Sequence, residues 1–424
     1  MIGTGIGLGL AGYRLNPPGV LPVLDLRFAT DKSLTAFAGP TPSSSRASSG
    51  TYFDANGVLQ SAGVNAARFN HVFNGTSWVS RGLLVEEQRT NLALYSEQID
   101  HTAWLKFDSN VTANLSTAPD GTTAADKVIP NTVSANHGVY NSSAISISSG
   151  TQYTVSVYAK ASGYNFLYLV CNVRGSSAST GVCVNLTDGT QSNGGASGTY
   201  TVTNVGDGWW RIACTATASS TSGYIEIWPR STAGGASSTI GNGTDGVLVW
   251  GVQLEAGAFA TSYIPTTSAS VTRSADVCQI TGSDFSGFWN GTEGSTVVEF
   301  DCPNVGTRIQ YQANSVSSTN IDSAVSVGST QYYEVYLPPH SALINGGSLA
   351  NNLPTKVANG YKINDFAISM NGAAAVTDTS GVVSSPTRIF FGSDGTSGYL
   401  NGHIARLRYY QTRLENGTLR VLST

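Results

Sequence analysis

Along most of this sequence, apolar residues alternate with polar ones over short stretches that end in Gly, Asn or Ser, and this pattern leaves little room for helices. The runs Tyr153–Ala159, Phe166–Val173, Trp210–Thr217, Tyr224–Trp228 and Val247–Leu254 are the clearest cases. Successive side chains of a strand point to opposite faces, so such alternation builds a sheet with one buried side. Many short strands separated by turn residues predict an all-β chain of sandwich or jelly-roll type. Only Asn91–Ile99 and a terminal run carrying Leu419 and Leu422, which Asn416 would cap, offer helix.

A chain of 424 residues is too long for one ordinary core and suits two or three domains. The sequence Asn16-Pro17-Pro18-Gly19 breaks the chain early, a Pro- and Ser-rich loop spans Gly39–Gly50, and Pro265–Ser270 reads as a linker. These marks divide the chain into an N-terminal β-rich region at 1–95, a regular central domain at 96–270 and a third β-rich stretch at 271–424. Before them all, Gly3, Gly5, Gly7 and Gly9 alternate with Ile2, Thr4, Ile6, Leu8 and Leu10. As a strand this segment has one bare face and one apolar face. Its apolar Ile2, Ile6, Leu8 and Leu10 are expected to dock against a neighbouring subunit; the other reading is a tail folded on its own chain.

Charged residues make up 11% of the chain, well below the roughly 25% of ordinary soluble proteins, and 48 glycines with many Ser, Thr and Asn replace them. With a formal net charge of -4 and no run of Lys or Arg, the chain lacks the electrostatic footprint of a nucleic-acid binder. No stretch approaches the about 20 apolar residues that a membrane-spanning helix needs, and the N-terminus lacks the basic start of a secretory signal. The five cysteines, Cys171, Cys183, Cys214, Cys278 and Cys302, are odd in number and form no C-x-x-C pair. Most are expected to act as small buried hydrophobes, with a bridge among the first three left open.

The five histidines show no metal-ligand spacing, and no catalytic motif of the common hydrolases or nucleotide enzymes occurs. No cofactor is expected; loops such as Pro119-Asp120-Gly121 and Ser393-Asp394-Gly395 would be the places for Ca²⁺, although short Asp-Gly loops are ordinarily turns. Glu86 and Glu87 are adjacent on a predicted strand and face opposite ways, so they cannot form a catalytic dyad by themselves.

Three stretches carry a family resemblance. Ser49–Gln60, Ala67–Phe69 and Gly82–Leu92, followed by Tyr95–Glu97, resemble a block found near the N-terminus of phage and prophage structural proteins. Trp250–Glu255 with Thr261–Thr266, preceded by Gly208-Trp-Trp-Arg211, resembles the closing strands of carbohydrate-binding-module-like jelly rolls. Gly398–Tyr410 is similar to the last strands of concanavalin-like, laminin-G-like sandwiches. The resemblance implies an N-terminal virion-attachment region, a central jelly roll and a C-terminal concanavalin-like sandwich, displayed on a virion surface as a homo-oligomer, by analogy a trimer. Its implied partners are other virion proteins and the polysaccharide of a bacterial host. A passive decoration role is the main alternative. A polysaccharide depolymerase is a weaker one, because Glu299-Phe-Asp301 matches only part of a glucanase Glu-x-Asp-x-x-Glu strand, with Asn304 where the third carboxylate would stand.

Sugar-binding jelly rolls stack pyranose rings on aromatic side chains of an open sheet face. In Tyr224–Trp228 the two isoleucines take the core, leaving Tyr224, Glu226 and Trp228 opposite. The same parity places Tyr158 outward beside Val155 and Val157, and Tyr168 and Asn172 outward beside Leu167, Leu169 and Cys171. Tyr158, Tyr168, Asn172, Glu226 and Trp228 are therefore the expected glycan contacts. The competing reading is that these rings cover a second apolar layer or a subunit interface.

Overall fold

In the computed structural model, which describes residues 20–424 apart from 176–179, 193–197, 236, 304–305, 316–319 and 339, the chain is all-β, with two sandwiches. The expected docking residues Ile2, Ile6, Leu8 and Leu10 lie outside the described residues.

The central sandwich is a jelly roll of two antiparallel sheets. Sheet I runs Thr199–Asn204, Trp209–Thr217, Gln152–Ser162, Gly246–Ala256, Thr123–Pro130, Ser109–Thr117. Sheet II runs Gln191–Ser192, Thr180–Asn185, Phe166–Asn172, Ser222–Arg230, Gly138–Asn141, Trp104–Phe107, with Ile145–Ser146 also on Ser222–Arg230. Val155, Val157, Leu167, Leu169, Ile225 and Ile227 meet in the core between them, as their alternation predicts. The strand Gly246–Ala256 departs from simple alternation: Val247 and Val249 face the core, and so do Val252 and Leu254. One extra residue enters between the pairs Ser156↔Gln253 and Tyr158↔Trp250, a β-bulge that resets the parity. Gly251 takes a φ of 64° there, a conformation that glycine adopts without strain.

The outer sandwich is assembled from both ends of the described chain. Sheet III places Gly402–Tyr410 beside Glu293–Asp301 on one side and Trp78–Val85 on the other, with Leu24–Leu26 pairing to it as well. Sheet IV starts at Ser43–Ser45, paired to Val277–Thr281, and ends at His340–Ser348. The expected separate domain at 1–95 is thus not what forms. Its strands Leu24–Leu26, Ser43–Ser45, Phe69–Phe73 and Trp78–Val85 complete the sandwich of residues 277–410, Gly50–Phe53 and Leu59–Ala62 pair only with each other, and the jelly roll is an insertion between the two parts of the outer sandwich. The physical reason is that Leu24, Leu26, Leu83 and Val85 cannot bury their apolar faces in so short a region and find them in the common core with Val298, Tyr311, Ile404 and Leu407.

The two strands through which the chain leaves and re-enters this sandwich, Arg89–Asn91 and Val271–Arg273, pair with each other. The helix expected at Asn91–Ile99 gives way to this strand and to turns. At the C-terminus, Asn416–Leu422 is helical and lays Leu419 and Leu422 against Val297, Ala358 and Tyr410 on the outer side of sheet III. Glu415, not Asn416, is its cap residue, and Asn416 Oδ1 instead accepts from Arg413.

Beside the paired crossing strands lies a dry ionic cluster. Arg46, Arg68 and Arg273 are at most 2% exposed, and Glu86 and Asp276 at most 6%. Arg68 bridges Glu86 at 2.8 Å and also Asp276, Arg46 meets Asp276 at 2.9 Å, and Arg273 lies 3.5 Å from Glu86. Glu86 in turn accepts from the backbone N–H and hydroxyl of Ser262, at 2.7 and 2.6 Å, where the jelly roll exits. Burial would raise the Glu86 carboxyl, but Arg273 and Arg68 beside it, with Ser262, hold it well below the usual carboxylate range. All five cysteines are buried free thiols, each packed as a small hydrophobe.

A second buried acid sits in the core of the outer sandwich. Asp322 accepts from the Tyr333 and Tyr311 hydroxyls, at 2.7 and 3.1 Å, and burial pushes its carboxyl up to about 7 although both hydroxyls pull the other way.

Two outcomes follow from these acids. Glu86→Gln leaves Arg68 and Arg273 short of a counter-charge in a dry junction, with an expected stability loss of about 3–5 kcal/mol, read from the denaturant midpoint. The unfolded chain releases the Asp322 proton near pH 4 while the folded protein keeps it to about 7, so this group's contribution is intact below the lower value and lost as pH rises through the higher one. Asp322→Asn should therefore flatten the decline in melting temperature between about pH 4 and 7 relative to the parent protein.

Candidate carbohydrate-binding face

Four of the five expected contacts come together on the outer face of sheet II. Tyr168 pairs across the strands with Trp228, and Asn172 with Tyr224, while Glu226 lies between them on the same face. Both Glu226 oxygens are engaged, one accepting from Asn172 Nδ2 at 3.0 Å and the other from Trp228 Nε1 at 3.1 Å. The carboxylate thereby ties the indole and the amide to each other across the face.

Tyr158 does not join them. Its parity is as expected, but Gln152–Ser162 belongs to sheet I, so Tyr158 points away from the opposite side of the sandwich. There it is 1% exposed and packs with Trp209, Leu248, Trp250 and Tyr263 against Trp78 of the outer sandwich and against Phe53 and Leu59 of the two-stranded sheet Gly50–Phe53 and Leu59–Ala62. For this residue the competing reading, a ring covering a second apolar layer, is the one the structure contains. Alternation settles on which side of its own strand a residue lies, but not to which sheet that strand belongs.

The outer face of sheet II also has two members that the sequence did not single out. Phe107 packs edge-on against Trp228 with ring centroids 5.1 Å apart, and Tyr140 lies 5.9 Å from Phe107 and 6.4 Å from Tyr224. A continuous row of rings, Tyr168, Trp228, Phe107, Tyr140 and Tyr224, results. Trp104 turned to the core and Phe107 turned outward in one short strand is the signal that could have found Phe107. Nothing in the sequence states that Gly138–Asn141 would lie beside Ser222–Arg230.

The row is not uniformly open. Tyr168 is 8% and Trp228 7% exposed, with Arg230 and Gly234 bonding to Ser237 and Cys183 at that end. Tyr140, Tyr224, Glu226 and Phe107 are half-buried, and Leu105 beyond them is exposed. The end that a ligand can reach is therefore Tyr140 and Tyr224, with the half-buried Glu226 beside them and the buried Asn172 behind it. Rings give a pyranose a flat apolar surface, and the carboxylate and amide can exchange hydrogen bonds with its hydroxyls.

The loops named for Ca²⁺ are closed turns. Asp120 Oδ1 accepts from the Thr122 backbone and hydroxyl, and both Asp394 oxygens accept from Thr396 and Ser397. Among the described residues, no group of three or more His, Cys, Asp or Glu side chains is placed to hold a metal. Glu299 and Asp301 share the outer side of sheet III, where Glu299 lies 3.7 Å from Lys356 and 3.5 Å from Arg408, while Asp301 bonds His403 at 2.7 Å. No described helix is long and apolar enough to cross a membrane.

No protein-family model and no curated protein matches the chain. Among solved structures, it is similar to the CBM40 domain of a Ruminococcus gnavus IT-sialidase bound to alpha2,3 sialyllactose, at 10% identity and TM-score 0.29, covering 33% of this chain and 88% of that one. It is similar as well to the LG1-3 region of the laminin alpha2 chain, at 10% identity and TM-score 0.25, covering 66% of each. Domains LG4-5 of the mouse laminin alpha1 chain align at 9% identity and TM-score 0.23, covering 75% of this chain and 91% of that one.

Proposed function

We propose that this chain is a non-enzymatic surface component of a bacteriophage-like particle, as a tail fibre, tail tip or head spike, and that it contacts glycans of a bacterial host through the outer face of sheet II. The observation that carries the glycan reading is the half-open pair Tyr140 and Tyr224 beside Glu226 and Asn172, on the side of the jelly roll turned away from the outer sandwich. The particle reading rests on the resemblance of Ser49–Gln60 and Gly82–Leu92 to phage structural proteins. Attachment to the particle is assigned to the N-terminal segment with Ile2, Ile6, Leu8 and Leu10.

A shallow face with two reachable rings binds one sugar weakly, so useful attachment calls for several copies acting together. A symmetric homo-oligomer, on the analogy a trimer, supplies them. The non-enzymatic reading is supported by the acids of the outer sandwich: Glu299 and Asp301 are each held by basic side chains, and Glu86 is committed to the junction.

The passive decoration reading has one observation in its favour, the burial of Tyr168 and Trp228 under their own face. Competition on host cells separates the two. Purified oligomer should slow adsorption of the parent phage in a dose-dependent way, and Tyr140→Ala with Tyr224→Ala should cost about tenfold or more in potency. If the parent protein neither binds cells nor slows adsorption, or if the double variant competes as well as the parent, the glycan reading of this face is wrong.

A further inference from the structure

The two sandwiches enclose a cleft of about 220 Å³ on the side opposite the sheet II face. Phe53 of the two-stranded sheet Gly50–Phe53 and Leu59–Ala62, with His71 and Trp78 of the outer sandwich, line it from one side, and Asn204, Tyr158 and Arg211 of the jelly roll from the other. The Phe53 and Trp78 rings lie 4.9 Å apart and form an apolar wall. Glycine turns bring the walls together: a Cβ on Gly57 would fall 2.1 Å from Trp78 Nε1, and one on Gly206 would fall 3.3 Å from it.

The electrostatics of this cleft are unbalanced. Arg211 lies over the Tyr158 ring at 5.3 Å, and its Nη2 donates to Ser156 Oγ at 3.2 Å. Its Nε is buried without a hydrogen-bond partner, and among the described residues no carboxylate pairs with it. The acid that does line the cleft, Glu86, is already satisfied by Arg68, Arg273 and Ser262. Arg211 is half-buried, its Nε shielded and no acid opposite it, so a carboxylate that enters the cleft finds a cation with free donors.

We infer that this cleft is a second binding site, which takes one carboxylated saccharide residue of the uronic-acid type. Arg211 receives the carboxylate, the Trp78 and Phe53 wall receives the C–H face of the ring, and His71 and Asn204 meet its hydroxyls. At about 220 Å³ the cleft is small, and a single substituted pyranose is the unit assigned to it. Because its walls come from both sandwiches, occupancy also ties the two units together. The site is independent of the sheet II face and does not rest on glycan binding there.

The test is titration of the full chain with glucuronate, methyl glucoside and acetate, followed by tryptophan fluorescence and ligand-observed NMR. Glucuronate should saturate with a Kd near or below about 1 mM, with the neutral sugar and acetate at least about tenfold weaker. Arg211→Gln, with its melting curve checked against the parent, should bind glucuronate no better than methyl glucoside. Arg211→Lys should keep part of the preference, and Tyr224→Ala should keep all of it. Unchanged glucuronate affinity in a folded Arg211→Gln would overturn the proposal. So would equal binding of acetate, or no saturation by glucuronate, galacturonate or N-acetylneuraminate up to about 50 mM.

Discussion

The structure depends on one junction, where the chain leaves the outer sandwich to build the jelly roll and returns. Arg89–Asn91 and Val271–Arg273 must lie side by side for both halves of the outer sandwich to meet. Glu86 and Asp276, just outside these strands, are held to the same arginines. Asn91 adds to this by donating to the carbonyls of Val252 and Ile264 and accepting from the N–H of Leu254, all in the closing strand and exit of the jelly roll. A chain so poor in charge spends several of its charged residues at this one dry point. Buried ion pairs gain little over apolar packing, but they tolerate few alternative arrangements, which suits a point that fixes how two domains meet.

The blocks that resemble other proteins converge here. Gly82–Leu92 supplies Glu86 and Asn91, while Thr261–Thr266 supplies Ser262 and Tyr263. What reads in the sequence as two separate signatures is in space a single joint. Its residues are constrained by contacts with one another.

Much of the fold was legible because alternation is a local property. Val155, Val157, Ile225 and Ile227 lie in the core as their parity requires, and the short terminal helix expected to carry Leu419 and Leu422 forms at Asn416–Leu422. Pairing is not local, and there the sequence was silent. Nothing near Leu24 indicates that its partner is Tyr409, so the N-terminal strands looked like a region of their own. The candidate site shows the same boundary. Tyr168, Asn172, Glu226 and Trp228 were found together because two pieces of local parity happened to concern neighbouring strands, whereas Tyr158 was misplaced because its strand belongs to the other sheet. The bulge at Gly251 is an intermediate case: the switch from Val247 and Val249 to Val252 and Leu254 is visible in the letters once a one-residue insertion is allowed.

The insertion also sets an order of assembly during synthesis. The jelly roll is a continuous stretch whose strands all emerge before residue 257, so it can close while the chain is still growing. The strands Leu24–Leu26 and Trp78–Val85 have been made long before, yet their neighbour Gly402–Tyr410 comes last. Until then the edges that face it stand unpaired, although Trp78–Val85 already has Phe69–Phe73 on its other side, and an open edge is the condition under which strands join those of another chain. A nascent chain thus carries these open edges until more than 300 residues after Val85 have been made. Early closure of the inserted domain, with Arg89–Asn91 and Val271–Arg273 brought side by side, holds the waiting strands close to where their partners will arrive.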